Sequence, residues 1–184
     1  MLYRVFPYLA DKRPREEGGA LYVPRERQGT GRHDNPERYG AMYVSRDPEA
    51  AIAERIQGFR GQSLAVDDLR RQDGSRYALV ALDEGSLAML PDLDDAAELV
   101  RRSIRPSHVA TRDRKVTRPM AMSIYREGVP GFLWWSTLEA SWTNATLFAE
   151  RAVAKLRIQD QPEPLTLEHA SLRAAADLLG VHLP

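Results

Sequence analysis

The chain has 184 residues and a mass of 20.8 kDa, the length of one domain or of a core with short additions. Hydrophobic residues at 43%, charged residues at 28% and three tryptophans exclude a disordered chain. The lack of cysteine excludes a disulfide scaffold, a thiolate zinc site and a cysteine nucleophile, and 26 basic against 26 acidic residues leave no global field for nucleic acid or anionic lipid.

Residues 2–9 read as a short strand with Leu2, Arg4 and Phe6 on one face and Tyr3 and Val5 on the other. Residues 11–40 are a long polar stretch holding Pro14, Gly18, Gly19, Pro24, Gly29, Gly31, Pro36 and Gly40. A connection of that length is a disordered or a functional segment. Residues 41–45 form a second strand with Met42 and Val44 on one side. Asp47 then caps a helix, Pro48 fits its first position and Glu49 suits the positive end of its dipole. That helix runs to about Phe59 and stops near Gly58 or Gly61.

The apolar run at residues 76–82 predicts a central strand. Helices are expected at 94–104 and at 117–127, the second with Thr117 as cap and Gly128 as stop. Strands follow at 132–135 and 142–148, then a helix at 167–179 with the apolar stripe Leu172, Ala175, Ala176 and Leu179 and a stop at Gly180. The order predicts an α+β fold rather than repeating βαβ units. One domain over 1–184 accommodates it, with a core at about 2–150 and a helical extension at about 165–180. No segment approaches the roughly 20 apolar residues that span a bilayer. The start carries Arg4 early and lacks the apolar stretch of a signal peptide, so the expected location is the cytoplasm.

Standard nucleotide, zinc and nucleophile-elbow motifs are absent. The four histidines, His33, His108, His169 and His182, lack metal-ligand spacing, so no metal is expected. Lys12, Lys115 and Lys155 are the only lysines, which leaves 23 arginines among the 26 basic residues. Codon usage in a GC-rich genome accounts for this, and so does the bidentate grip of guanidinium on phosphate. The mixed signs of residues 112–115 fit a solvated loop better than a nucleic-acid patch. Trp134, Trp135 and Trp142 read as a packed cluster with one ring at the surface, or as a wall for a purine.

The informative block is residues 31–54. Ile52, Ile56 and Phe59 recur at helical spacing and form a buried face. Glu54 lies about 200° around the helix from Ile52 and points away from that face. Its neighbours there are Ala50, Ala51 and Gln57 or Gly58. Two readings follow: a solvated glutamate on an amphipathic helix, or a carboxylate aimed into a cleft that small alanines leave open.

The arrangement of Gly31-Arg32, Tyr43 in a strand 11 positions on, and Glu54 a further 11 on within a Pro-Glu-Ala-Ala helix resembles the RES domain family. That family is named for its arginine, glutamate and serine and is known chiefly as toxins of bacterial toxin–antitoxin pairs. Tyr3-Arg4-Val5 is similar to its opening strand. The segment 128–136 resembles the apolar run that ends in its serine, here Ser136, and 144–148 resembles the strand beyond. The family commonly carries Trp-Asn-Pro after the arginine, where this chain reads His33-Asp34-Asn35-Pro36.

The resemblance implies an ADP-ribosyltransferase-like mixed sheet with flanking helices and consumption of NAD by hydrolysis or phosphorolysis. It implies Glu54, Arg32 and Tyr43 as catalytic residues, and Arg4, Tyr3, Ser136 and His33 as substrate-binding ones. Glu54 would face the sugar cation, while Arg4 and Arg32 would neutralise the pyrophosphate or hold inorganic phosphate as co-substrate. Tyr43 would pack on the nicotinamide, and Ser136 would hydrogen-bond the ribose or the amide. NAD is then a substrate, and no cofactor is expected. The implied partner is a cognate antitoxin, often a helix-turn-helix protein, with no nucleic acid or membrane partner and homo-oligomerisation left open. Two alternatives stand beside this reading: a transferase that moves ADP-ribose onto a macromolecule, and a non-catalytic NAD-binding module.

Overall fold

The computed structural model describes residues 1–184. In chain order the strands are β1 (Leu2–Tyr8), β2 (Ala41–Ser45), β3 (Arg76–Asp83), β4 (Gly131–Trp135), β5 (Thr143–Phe148), β6 (Arg157–Ile158) and β7 (Glu163–Pro164). The helices are α1 (Pro48–Ile56), α2 (Ala96–Arg101), α3 (Pro106–Ala110), α4 (Arg114–Arg126), α5 (Ala149–Ala152) and α6 (Ala170–Leu179). The class is α+β, and the chain divides into two compact units. The first holds residues 1–22, 45–83 and 157–184; the second holds 23–44 and 84–156.

In the first unit β3 is central, as its continuous apolar sequence predicts. It pairs antiparallel with β1 from Leu2 opposite Leu82 to Tyr8 opposite Arg76. Its other edge takes β6 and β7, both antiparallel. Leu2 and Phe6 of β1 are buried on one face with their partners Leu82 and Ala78. Helix α1 lies against β1, β3 and α6. Its Ala50, Ala51, Ile52, Ala53 and Ile56 are all buried, because short alanine side chains let neighbouring backbones approach on several sides. In α6 the expected stripe, Leu172, Ala175, Ala176 and Leu179, is the buried one. Gly180 ends it at φ 67°, while Val181 N–H donates to the Ala176 carbonyl, the hydrogen-bond pattern of a Schellman stop.

In the second unit the strand order is β4-β5-β2. β4 and β5 pair antiparallel from Gly131 opposite Leu147 to Trp135 opposite Thr143. The core gathers Tyr39, Leu93, Leu99, Val109, Met120, Ile124, Phe132, Trp134 and Phe148. Tyr39 meets Phe148 edge-on at 4.6 Å between ring centroids, a favoured aromatic geometry. Among the tryptophans Trp134 is buried, and Trp135 and Trp142 are half-buried.

Several expectations are corrected. Helix α4 starts at Arg114, not at Thr117, and its cap is Asp113, whose Oδ1 accepts from Lys115 N at 2.9 Å. Helix α1 ends at Ile56 and tightens into a 3₁₀ turn over Gln57–Phe59, leaving Phe59 half-buried rather than part of a buried face. The polar stretch 11–40 is ordered by its own hydrogen bonds. Leu9 N–H donates to Gly18 O, Leu21 N–H donates to Pro14 O, and a 3₁₀ turn forms over Arg25–Arg27. No helix is long and apolar enough to cross a membrane.

Candidate functional site

The first unit carries Tyr3, Arg4 and Glu54. Alternation along β1 places Arg4 on the face of Leu2 and Phe6, with its guanidinium 5.8 Å from the Phe6 ring centroid. Nη1 donates to Ala20 O at 2.5 Å and Nη2 to Tyr22 O at 2.8 Å, so Arg4 ties the strap of residues 11–22 to the strand. Burial, with no carboxylate beside it, pulls the guanidinium down to about 10. It remains cationic at neutral pH. A half-buried cation held by carbonyl dipoles favours an anionic ligand. Tyr3 sits on the opposite face of β1, half-buried, across from Ala81 and Ser45.

Glu54 is half-buried on α1, which packs against β1, so helix and strand are direct neighbours. Its Oε2 accepts from Gln57 Nε2 at 3.0 Å, an i,i+3 contact that fixes the carboxylate along the helix.

The second unit carries Arg32, His33, Tyr43 and Ser136. Arg32 lies in the 29–34 turn. Its Nη1 donates to Val109 O at 2.6 Å, and its guanidinium lies 4.9 Å from the Trp134 ring centroid, a cation–π placement. Its carbonyl accepts from Thr117 Oγ1, one turn into α4. Arg118 donates to the carbonyls of Gly29 and Gly31. Tyr43 accepts at its hydroxyl from His33 N–H at 2.9 Å and donates to Asp34 Oδ1 at 2.7 Å. Burial and the Asp34 charge hold the phenol well above its ordinary value, so it stays protonated.

His33, within the same 29–34 turn, is fully buried at 0% exposure. It packs edge-on to Phe132 and Trp134 at 4.9 and 5.2 Å and stacks with Tyr43 at 6.3 Å. Trp134 Nε1–H donates to Thr146 Oγ1, which lies 2.8 Å from His33 Nδ1; Nε2 has no hydrogen-bond partner. The ring is thus a wall of the aromatic cluster. Burial, and then the Arg32 charge, push it well below 6.5. The unfolded chain takes up a proton near pH 6.5 that the folded imidazole refuses. Stability from this site is therefore full above that pH and declines on acidification. Denaturant melts of His33→Phe should show a shallower loss of stability below pH 6.5 than wild type. Equal slopes would remove His33 as the cause.

Ser136 is 2% exposed just past β4. Its N–H donates to Trp142 O, and its Oγ accepts from Leu138 N at 3.1 Å, so it closes the β4–β5 connection. The residues that sequence reading missed are Asp34, Thr117, Arg118 and Thr146. The one available signal was an aspartate just after a glycine-rich turn, the residue type that binds nearby backbone N–H groups. No cluster of three or more His, Asp or Glu side chains has a geometry that would hold a metal ion.

A model of the RES domain matches residues 1–168. Among solved structures, a chain of the crystal structure of the M. tuberculosis MbcT–MbcA toxin–antitoxin complex superposes with a TM-score of 0.68. That likeness covers 98% of this chain and 88% of the other at 18% identity, and it shows the fold. No curated protein matches.

Proposed function

The chain belongs to the RES domain family, and from that premise we propose that it degrades NAD by cleaving the nicotinamide–ribose bond, as the toxin of a toxin–antitoxin pair. The observation that best supports this is the half-buried guanidinium of Arg4, held by two main-chain carbonyls. A cation in that state suits a phosphate-bearing substrate. The structural neighbour comes from a toxin–antitoxin complex, which supports an antitoxin as partner.

In this reading the C–N bond breaks with its electron pair going to the pyridinium, which leaves as neutral nicotinamide and needs no general acid. The sugar becomes cationic, as in glycoside cleavage. The Glu54 carboxylate stabilises that charge and accepts a hydrogen bond from a ribose hydroxyl. Arg4 and Arg32 bind phosphate oxygens, and the Tyr43 ring covers the nicotinamide. Water then adds to the sugar and releases a proton, giving ADP-ribose; inorganic phosphate adding instead gives a phosphorylated ADP-ribose. Tyr3 and Ser136 line the substrate in the same proposal.

The test is product analysis by chromatography after NAD is incubated with and without phosphate. A phosphorylated ADP-ribose that forms only with phosphate identifies a phosphorylase, and ADP-ribose in both arms identifies a glycohydrolase. Label from NAD retained on a protein or nucleic acid of a lysate, with no free ADP-ribose, would overturn both in favour of a transferase.

A further inference from the structure

We propose that Asp34 is the positioning residue of the Arg32 loop, acting on substrate only through the arginine it holds in place. The inference rests on the NAD reading above. Asp34 is 4% exposed, and both carboxylate oxygens are used locally. Oδ1 accepts from the Tyr43 hydroxyl at 2.7 Å; Oδ2 accepts from Gly31 N at 2.7 Å and Gly29 N at 2.9 Å. The Tyr43 hydroxyl in turn accepts from His33 N–H. These bonds fix the backbone at residues 29, 31 and 33, on both sides of Arg32. The same Asp34–Tyr43 pair crowds any side chain at position 31. A Cβ there would lie 2.5 Å from Asp34 Oδ1 and 2.6 Å from the Tyr43 hydroxyl, splitting the bond between them.

The chemistry needs a carboxylate. All three partners of Asp34 are donors, and a carboxylate side chain of this size offers an acceptor oxygen to each of them. The substitution Asp34→Asn would turn an NH₂ toward a donor and release one anchor of the loop. Tyr43 acquires a second role: its hydroxyl belongs to the clamp, so its ring alone is left for a ligand.

The experiment measures steady-state NAD cleavage by wild type, Asp34→Asn, Tyr43→Phe, Arg32→Lys and the double variant Asp34→Asn/Arg32→Lys, with thermal melts as the folding control. Loss of an oriented guanidinium removes binding common to substrate and transition state. Asp34→Asn should therefore raise KM for NAD about tenfold with kcat changed much less. A damaged fold would instead lower kcat through a smaller active fraction at unchanged KM. Tyr43→Phe keeps the ring, creates no donor clash and should shift KM in the same direction by less. In the Arg32→Lys background the effect of Asp34→Asn should largely vanish, since both act at one point. Wild-type KM in Asp34→Asn, or full additivity with Arg32→Lys, would overturn the clamp while leaving the NAD reading intact. A wild-type chain that releases no nicotinamide would overturn the NAD reading and the clamp's role with it.

Discussion

Glu54→Gln should lower nicotinamide release from NAD by roughly 10²–10³-fold while the protein keeps its fold. The magnitude follows from loss of one preorganised electrostatic contact to a transition-state charge, about 2.7–4 kcal/mol. Glutamine preserves the length and helix preference of the side chain. It also preserves the option of a hydrogen bond with Gln57, which the wild-type carboxylate makes at 3.0 Å. The buried part of α1 lies in Ala50, Ala51, Ile52, Ala53 and Ile56, none of which the substitution touches. The melting temperature should therefore stay within a degree or two of wild type by the usual scale for surface changes. Turnover is measured by nicotinamide release at saturating NAD. Wild-type turnover in the glutamine variant would take Glu54 out of the mechanism.

Arg4→Met should carry the second-largest effect and, unlike Glu54→Gln, should act on stability as well. Methionine fills the stem volume beside Phe6 but leaves the carbonyls of Ala20 and Tyr22 without their donors. Hydrogen bonds to a charged group are worth about 1.5–3 kcal/mol, so kcat/KM for NAD should fall roughly 10–150-fold. Most of that fall should appear in KM, because phosphate binding is common to ground and transition states. The strap 11–22 should exchange its amide hydrogens faster, since Arg4 is one of its ties to β1. Arg4→Lys keeps the charge, but one ammonium does not reproduce the two-pronged reach, so its KM should fall between the two. Unchanged KM in Arg4→Met would separate the strap from the substrate.

The elements that carry a period were readable in advance. Alternation placed Leu2, Arg4 and Phe6 on one face of β1, and the apolar run of β3 predicted its central position. The stripe of α6 and its stop at Gly180 were set by 3.6-residue spacing and by glycine's access to positive φ. The start of α4 was hidden because its first turn, Arg114 and Lys115, is polar and shows no apolar spacing, while Thr117 imitates a cap and bonds Arg32 instead. The two-residue strands β6 and β7 are too short to show any period.

At the candidate site the same division holds. Helix geometry alone turned Glu54 away from Ile52 and Ile56, and Glu54 is half-buried where those two are sealed. The partners of Arg4 were invisible, since they are main-chain carbonyls at positions 20 and 22, and any residue supplies a carbonyl. The burial of His33 depends on Phe132, Trp134 and Thr146, more than ninety positions away in sequence, so no local pattern announces it.

The proposed roles of Glu54, Arg4 and Asp34 all depend on cleavage of the bond between nicotinamide and ribose. The most direct measurement follows NAD and free nicotinamide together in a reaction containing only the purified chain, NAD and phosphate buffer. One nicotinamide should be released for each NAD lost. NAD that stays intact through prolonged incubation with folded protein would contradict it.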